Sequence, residues 1–182
     1  MDFEITIKNL LKKFKDENVR YALIGGFALG AHGVAKTTLD IDFLVHYDDI
    51  TKIDKIMDEL GYECRYKSEN VSQYFSLLKV FGSVDFLHAF REISVGMLKR
   101  AEEISVFNDT ITIKVVNVED LIGLKIQAMA NDESRKTADL ADIESLLEQH
   151  SKLIDWVLVE KYFSIFGFHD LFSKLKERYM HA

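Results

Sequence analysis

The chain carries 182 residues, 48 % hydrophobic and 29 % charged, with a formal net charge of −7. That composition excludes a disordered chain, and the length suits one domain, or a main domain with a helical appendage, with a core that needs no staples. The negative balance disfavours a general nucleic-acid binder; the single cysteine, Cys64, excludes an intrachain disulfide and a cysteine-based zinc cluster and fits a reducing, cytoplasmic setting.

The opening MDFEITIKNLLKKFK spaces Ile5, Ile7, Leu10, Leu11 and Phe14 near the helical repeat, which predicts an amphipathic helix over residues 5–14 rather than a secretion signal. Residues 20–24 predict a short buried strand, ended by Gly25-Gly26, and residues 27–32 the start of a helix. The weakly polar run 21–35 is too short and too glycine-rich to span a bilayer, so no membrane partner is expected. Residues 39–45, LDIDFLV, give the clearest strand. Asp48 and Asp49 read as caps for a helix over 50–60, with Gly61 as its stop. Strands are expected at 62–66, 74–80 and 84–87, with Gly82-Ser83 as a hairpin turn. Two more, at 104–107 and 111–115, flank the turn pair Asn108-Asp109. From Val118 the pattern is helical, at 118–131, 135–150, 156–166 and 169–179. Most of Trp156, Tyr162, Phe163, Phe166, Phe168 and Phe172 read as core between the last helices, with a partner groove or dimer face as the other reading. The expected division is 1–117 for an α/β core and 118–182 for a helical region packed on it.

Side chains alternate along a strand, so Asp40 and Asp42 share one face, while Leu39, Ile41, Phe43 and Val45 share the other and are expected in the core. Two carboxylates about 6–7 Å apart along a strand repel each other, and a divalent cation between them removes the repulsion. Mg²⁺ takes one or two carboxylates together with waters and substrate phosphates. A strand that ends in Gly-Gly before a helix lets backbone N–H groups approach an anion closely. A third acid, Asp85 in Val84-Asp85-Phe86-Leu87, lies in another apolar strand, and a carboxylate there can accept a proton from an attacking hydroxyl. Taken singly, a polar strand face, a tight turn and a hairpin residue account for these features. Taken together they point to a metal-and-triphosphate site.

The sequence Ile24-Gly25-Gly26, a spacer, and Asp40-Ile41-Asp42-Phe43 resembles the nucleotidyltransferase superfamily with the DNA polymerase beta-like fold. Lys36-Thr37-Thr38 resembles the Arg-x-Thr that many members carry before the acids, with Lys in place of the bidentate Arg. Within the superfamily the chain looks most like small stand-alone enzymes grouped with AbiEii-type toxins, through residues 120–128, Arg135 and 139–143. The resemblance covers roughly residues 15 to 148. It implies an α+β fold with a mixed sheet flanked by helices and a helical C-terminal region. It implies that Asp40, Asp42 and Asp85 are the catalytic and metal-binding residues. Gly25, Gly26, Lys36, Thr38 and Lys125 would bind the nucleotide. The cofactor would be Mg²⁺, two ions with the NTP bound, and the reaction transfer of an NMP group to an acceptor hydroxyl on RNA or tRNA, a protein or a small molecule. An antitoxin partner or a homo-oligomer is compatible with the resemblance.

Two other readings are an inactive nucleotidyltransferase-fold binding module and a D-x-D glycosyltransferase. The three acids argue against the first; the Gly-Gly strand end, the third acid and the short chain fit the second less well. Residues 30–38 miss the Walker A pattern, because two residues separate Gly33 from Lys36. The histidines, at 32, 46, 88, 150, 169 and 181, do not fall at zinc spacing; His32 and His88 are the ones expected nearest the acids. Lys125 also reads as an exposed helix lysine, Asp139 and Asp142 as a solvated face or a bridge to Arg135, and Cys64 as a partly buried strand thiol.

Overall fold

The computed structural model describes residues 2–78 and 80–180. Lys79, inside the strand expected to reach Val80, and His181 lie outside the described residues. The chain divides into two compact units, Met1–Ala31 with Lys36–Val116, and His32–Ala35 with Asn117–Ala182.

The first unit is built on a mixed seven-stranded sheet. In chain order its elements are α1 (Phe3–Asp16), β1 (Tyr21–Ile24), α2 (Gly25–Ala31), β2 (Asp40–His46), α3 (Ile50–Glu59), β3 (Tyr62–Lys67), β4 (Val71–Ser76), β5 (Ser83–Ala89), α4 (Glu92–Arg100), β6 (Glu102–Val106) and β7 (Ile111–Val115). The strand order is β3-β4-β5-β2-β1-β7-β6. β2 runs parallel to β5 and antiparallel to β1, and β1 is parallel to β7. Ile41, Phe43, Val45, Val84 and Phe86 are buried on one face of β2 and β5. There Phe14 of α1 meets Phe43 edge-on at 5.3 Å, and Phe43 stacks on Phe86 at 5.8 Å. This face is the core, and it frees the opposite face of β2 for Asp40 and Asp42.

Several boundaries differ from the sequence reading, each for a local reason. β2 begins at Asp40, so Leu39 is 82 % exposed rather than in the core. β4 lies earlier than expected: the apolar Leu77 and Leu78 belong to the loop after it, 68 % and 63 % exposed. Asp49 holds the cap position of α3 without capping it. Its buried carboxylate instead accepts from the backbone N–H and Nε of Arg20, at 3.0 and 2.7 Å, and pairs with Lys52 at 2.9 Å. Helix α4 had no sequence signal. Cys64 is exposed, not partly buried.

The second unit holds α5 (Val118–Asn131), α6 (Lys136–His150), α7 (Trp156–Ile165) and α8 (His169–Tyr179). Asn117 and Asp155 cap α5 and α7 through their side chains. Gly123 of α5 gives room to the Tyr162 ring, which a Cβ at that position would meet at 2.7 Å. The Tyr162 hydroxyl donates to Asp120 Oδ1 at 2.5 Å. Tyr162, Phe163 and Phe172 are buried here, and the segment His32–Ala35 joins this unit through His150 Nε2, 2.9 Å from the His32 carbonyl. Among the described residues no helix is long and apolar enough to cross a membrane.

Candidate active site

Asp40 and Asp42 project from the start of β2, and strand pairing sets Asp42 beside Asp85 of β5. The three half-buried carboxylates each bring one oxygen to within 4.8 Å of the other two, and they are the one such metal-competent group among the described residues. Three like charges this close repel unless a cation or a proton intervenes. An all-oxygen set of carboxylates suits a hard cation such as Mg²⁺ or Mn²⁺, which coordinate oxygen in preference to sulfur or nitrogen. The residues present therefore fit the metal that this class of site implies.

The glycines have a specific steric role. Gly25 follows β1 with φ +68°, and a Cβ there would fall 2.0 Å from Asp42 Oδ2. A Cβ on Gly26 would fall 2.8 Å from Thr38 Cβ. The pair leaves space for Asp42 and Thr38 to close down on the chain. Thr38 in turn donates from Oγ1 to Asp40 Oδ1 at 2.7 Å, which fixes the first acid. Asp85 is fixed from the other side: Gln73 of β4 donates from Nε2 to Asp85 Oδ2 at 2.7 Å. Burial pushes the Asp85 carboxyl above its ordinary pKa; the Gln73 hydrogen bond opposes this and the charge of Asp40 adds to it.

Beside Thr38 opens a cavity of about 300 Å³, near the lower bound of small-ligand pockets. Gly26, Phe27 and Gly30 of α2 form one wall, Lys36 and Thr38 a second, and Ser105 to Phe107 at the end of β6 a third. Phe107, Asn108 and Asp109 turn the β6–β7 hairpin with φ of 53°, 53° and 63°. Left-handed backbone at an aromatic residue is strained, and here it places the Phe107 ring 5.8 Å from that of Phe27.

The structure thus gathers Gly25, Gly26, Lys36, Thr38, Asp40, Asp42 and Asp85 in the first unit. Lys125 belongs to the second, where it is buried rather than exposed. Its ammonium donates to Asp139 at 2.8 Å and Asp142 at 2.7 Å, and Arg135 Nε reaches Asp139 at 3.0 Å. Asp139 and Asp142 are therefore a buried ion cluster, not a solvated face. Burial raises the Asp139 pKa, and the hydrogen bonds from Arg135 and Lys125 outweigh it, so the carboxyl sits below its usual range. His88 is buried on the side of β5 opposite Asp85, between Ser72 Oγ at 3.0 Å and the Glu69 carbonyl at 2.9 Å. Sequence reasoning missed Gln73, Ser105 and Phe107. The alternation of β4 would have revealed Gln73 had the strand been placed at 71–76.

Residues 3–172 match the model of a family described as uncharacterised nucleotidyltransferase. The chain belongs to that family. A search of curated proteins found no match. Among solved structures it is similar to the antibiotic-resistance factor ANT(2'')-Ia in solution, with TM-score 0.69 and 16 % identity over the whole of both chains. It is also similar to the lincosamide antibiotic adenylyltransferase LnuA with lincomycin bound, with TM-score 0.56, 16 % identity, 79 % of this chain and 95 % of that one covered. An antigenic nucleotidyltransferase-like protein from Paracoccidioides brasiliensis gives TM-score 0.55 and 17 % identity, covering 97 % of this chain and 96 % of that one. At these identities the likeness concerns the fold, the mixed α+β architecture of nucleotidyltransferases.

Proposed function

We propose that this nucleotidyltransferase is Mg²⁺-dependent and moves an NMP group from an NTP to a hydroxyl of a small molecule. The observation that carries the reading is the convergence of Asp40, Asp42 and Asp85 beside a glycine pair that makes room for them. Asp40, Asp42 and Asp85 would hold the metal, two ions with the nucleotide bound. The metal, when bound, supplies charge stabilisation on the phosphates and orientation of the reacting groups.

The chain's own residues divide the remaining work. Asp85 stands on β5, on the side of β2 away from β1, and serves the acceptor. The cavity beyond Thr38 stands on the other side, and there Lys36, Thr38 and Ser105 receive the outer phosphates. That opposition matches in-line displacement. The acceptor oxygen bonds to the α-phosphorus while the bond from that phosphorus to the oxygen bridging to the β-phosphorus breaks. Pyrophosphate leaves, and the hydroxyl proton passes to the Asp85 carboxylate and then to water. Lys36 offers a point charge to the departing phosphates. Lys125 would support nucleotide binding only at the expense of its two aspartate bonds.

A small-molecule acceptor is favoured by the net charge of −7, which opposes a polyanionic one. ANT(2'')-Ia is an antibiotic-resistance factor and LnuA an antibiotic adenylyltransferase, a likeness consistent with such an acceptor. The test supplies α-³²P-labelled NTPs one at a time, with Mg²⁺ and a cell extract split into small-molecule, RNA and protein fractions. Label is expected in the small-molecule fraction with wild type and not with Asp42→Ala. Label in RNA or protein instead would move the reading to a toxin-type enzyme. No Asp42-dependent label anywhere would leave a non-catalytic binding module.

A further inference from the structure

We infer that Gln73 is the positioning residue of the acceptor-side acid: its side-chain amide holds Asp85 in the orientation that receives the acceptor's proton. This rests on the role of Asp85 proposed above. β4 pairs antiparallel with β5 so that Gln73 lies directly across from Asp85, while Asp42 flanks Asp85 on its other side. Directly opposed residues present their side chains on the same face of a sheet. Asp85 therefore stands between a like charge on β2 and a neutral donor on β4. Repulsion from Asp40 and Asp42 favours rotation of the Asp85 carboxylate away from them. The 2.7 Å hydrogen bond from Gln73 Nε2 to Oδ2 acts from the β4 side, so it sets where that rotation stops and leaves Oδ1 as the oxygen without this bond.

The chemistry of the donor matters as much as its place. Lysine or arginine at this position would offset the charge of Asp85 and weaken it as a base and as a ligand. An amide orients without neutralising, as the outer partners of metal-binding carboxylates do. Gln73 is itself exposed, so burial gives no reason for an amide there.

The test compares wild type with Gln73→Met, which keeps the length and removes the donor, and Gln73→His, which restores an N–H at similar reach without a charge when all are assayed at a pH well above the imidazole pKa. Asp85→Ala is run beside them, all on the acceptor fraction that wild type labels. For Gln73→Met, kcat is expected to fall about 10- to 100-fold, the usual cost of losing such a partner. KM for the NTP and the melting temperature are expected to stay near wild type, and Gln73→His to recover most of the loss. Wild-type turnover in Gln73→Met, or a loss that Gln73→His leaves in place, overturns the inference alone. So does a rise in KM in step with the fall in kcat. Full activity in Asp85→Ala, or an inactive wild type, overturns it together with the role of Asp85.

Discussion

Gly25 shows how one residue can serve backbone and chemistry at once. Its φ of +68° disfavours any side chain, and the space a Cβ would take is held by the Asp42 carboxylate. Gly61 has a similar φ of +76° but nothing within 4 Å of its missing Cβ. The two therefore separate backbone cost from site damage. Both Gly25→Ala and Gly61→Ala should lose about 1–2 kcal/mol of stability from left-handed strain, measured by urea denaturation. Gly25→Ala should also lose turnover nearly as fully as Asp42→Ala, and Gly61→Ala should keep it. Equal activity in the two variants would remove the steric account of the Gly-Gly pair.

At the scale of elements, the turn from β2 into α3 is tied to the start of β1 by Asp49. Burial raises its pKa, but the hydrogen bonds from Arg20 and Lys52 outweigh that and lower it from 3.8 to about 2. A depressed folded-state pKa adds stability that is present above the unfolded value and is lost as pH falls through the folded one. The Arg20 side chain is half exposed, so solvent screening reduces the gain to about 1–2 kcal/mol. Asp49→Asn should be less stable than wild type by that amount at pH 7, and the gap should close as pH falls from about 4 toward 2. Urea melts across that range check this, and a gap independent of pH would contradict it. The same elements show what was legible in the sequence. β2 was, because the alternation that opens DIDFLVH separates Asp40 and Asp42 from Ile41 and Phe43. The true span of β4 was not, because Leu77 and Leu78 extend its apolar pattern into a loop where they stay in water. Helix α4, EISVGMLKR, is short, carries Gly96 inside and buries only Met97 fully, so periodicity gave it no signal. The long helices α5 and α8 matched expectation to the residue, their apolar positions being spaced for a core.

At the scale of the whole chain, the acids and the glycines were readable because each stands out in one dimension, whereas Thr38 entered only through the resemblance of Lys36-Thr37-Thr38 to Arg-x-Thr. Asp disfavours strands and Gly weakens them. Gln73, Ser105 and Phe107 are ordinary in sequence; Gln73 gains meaning from its pairing across from Asp85, and Ser105 and Phe107 from the cavity they line. For Lys125 only the alternative of an exposed lysine fails, because its partners Asp139 and Asp142 come from another helix. The central proposal is that one sheet face holds a metal–nucleotide centre. Anomalous diffraction from crystals grown with Mn²⁺ and an NTP analogue that cannot be cleaved between its α- and β-phosphates tests this most directly. Mn²⁺ takes the same carboxylate and phosphate oxygens as Mg²⁺ and scatters strongly enough to be located. Anomalous density is expected between Asp40, Asp42 and Asp85, with the triphosphate against Gly26, Lys36 and Thr38. Nucleotide bound elsewhere, or bound there with no metal at the three carboxylates, would contradict it.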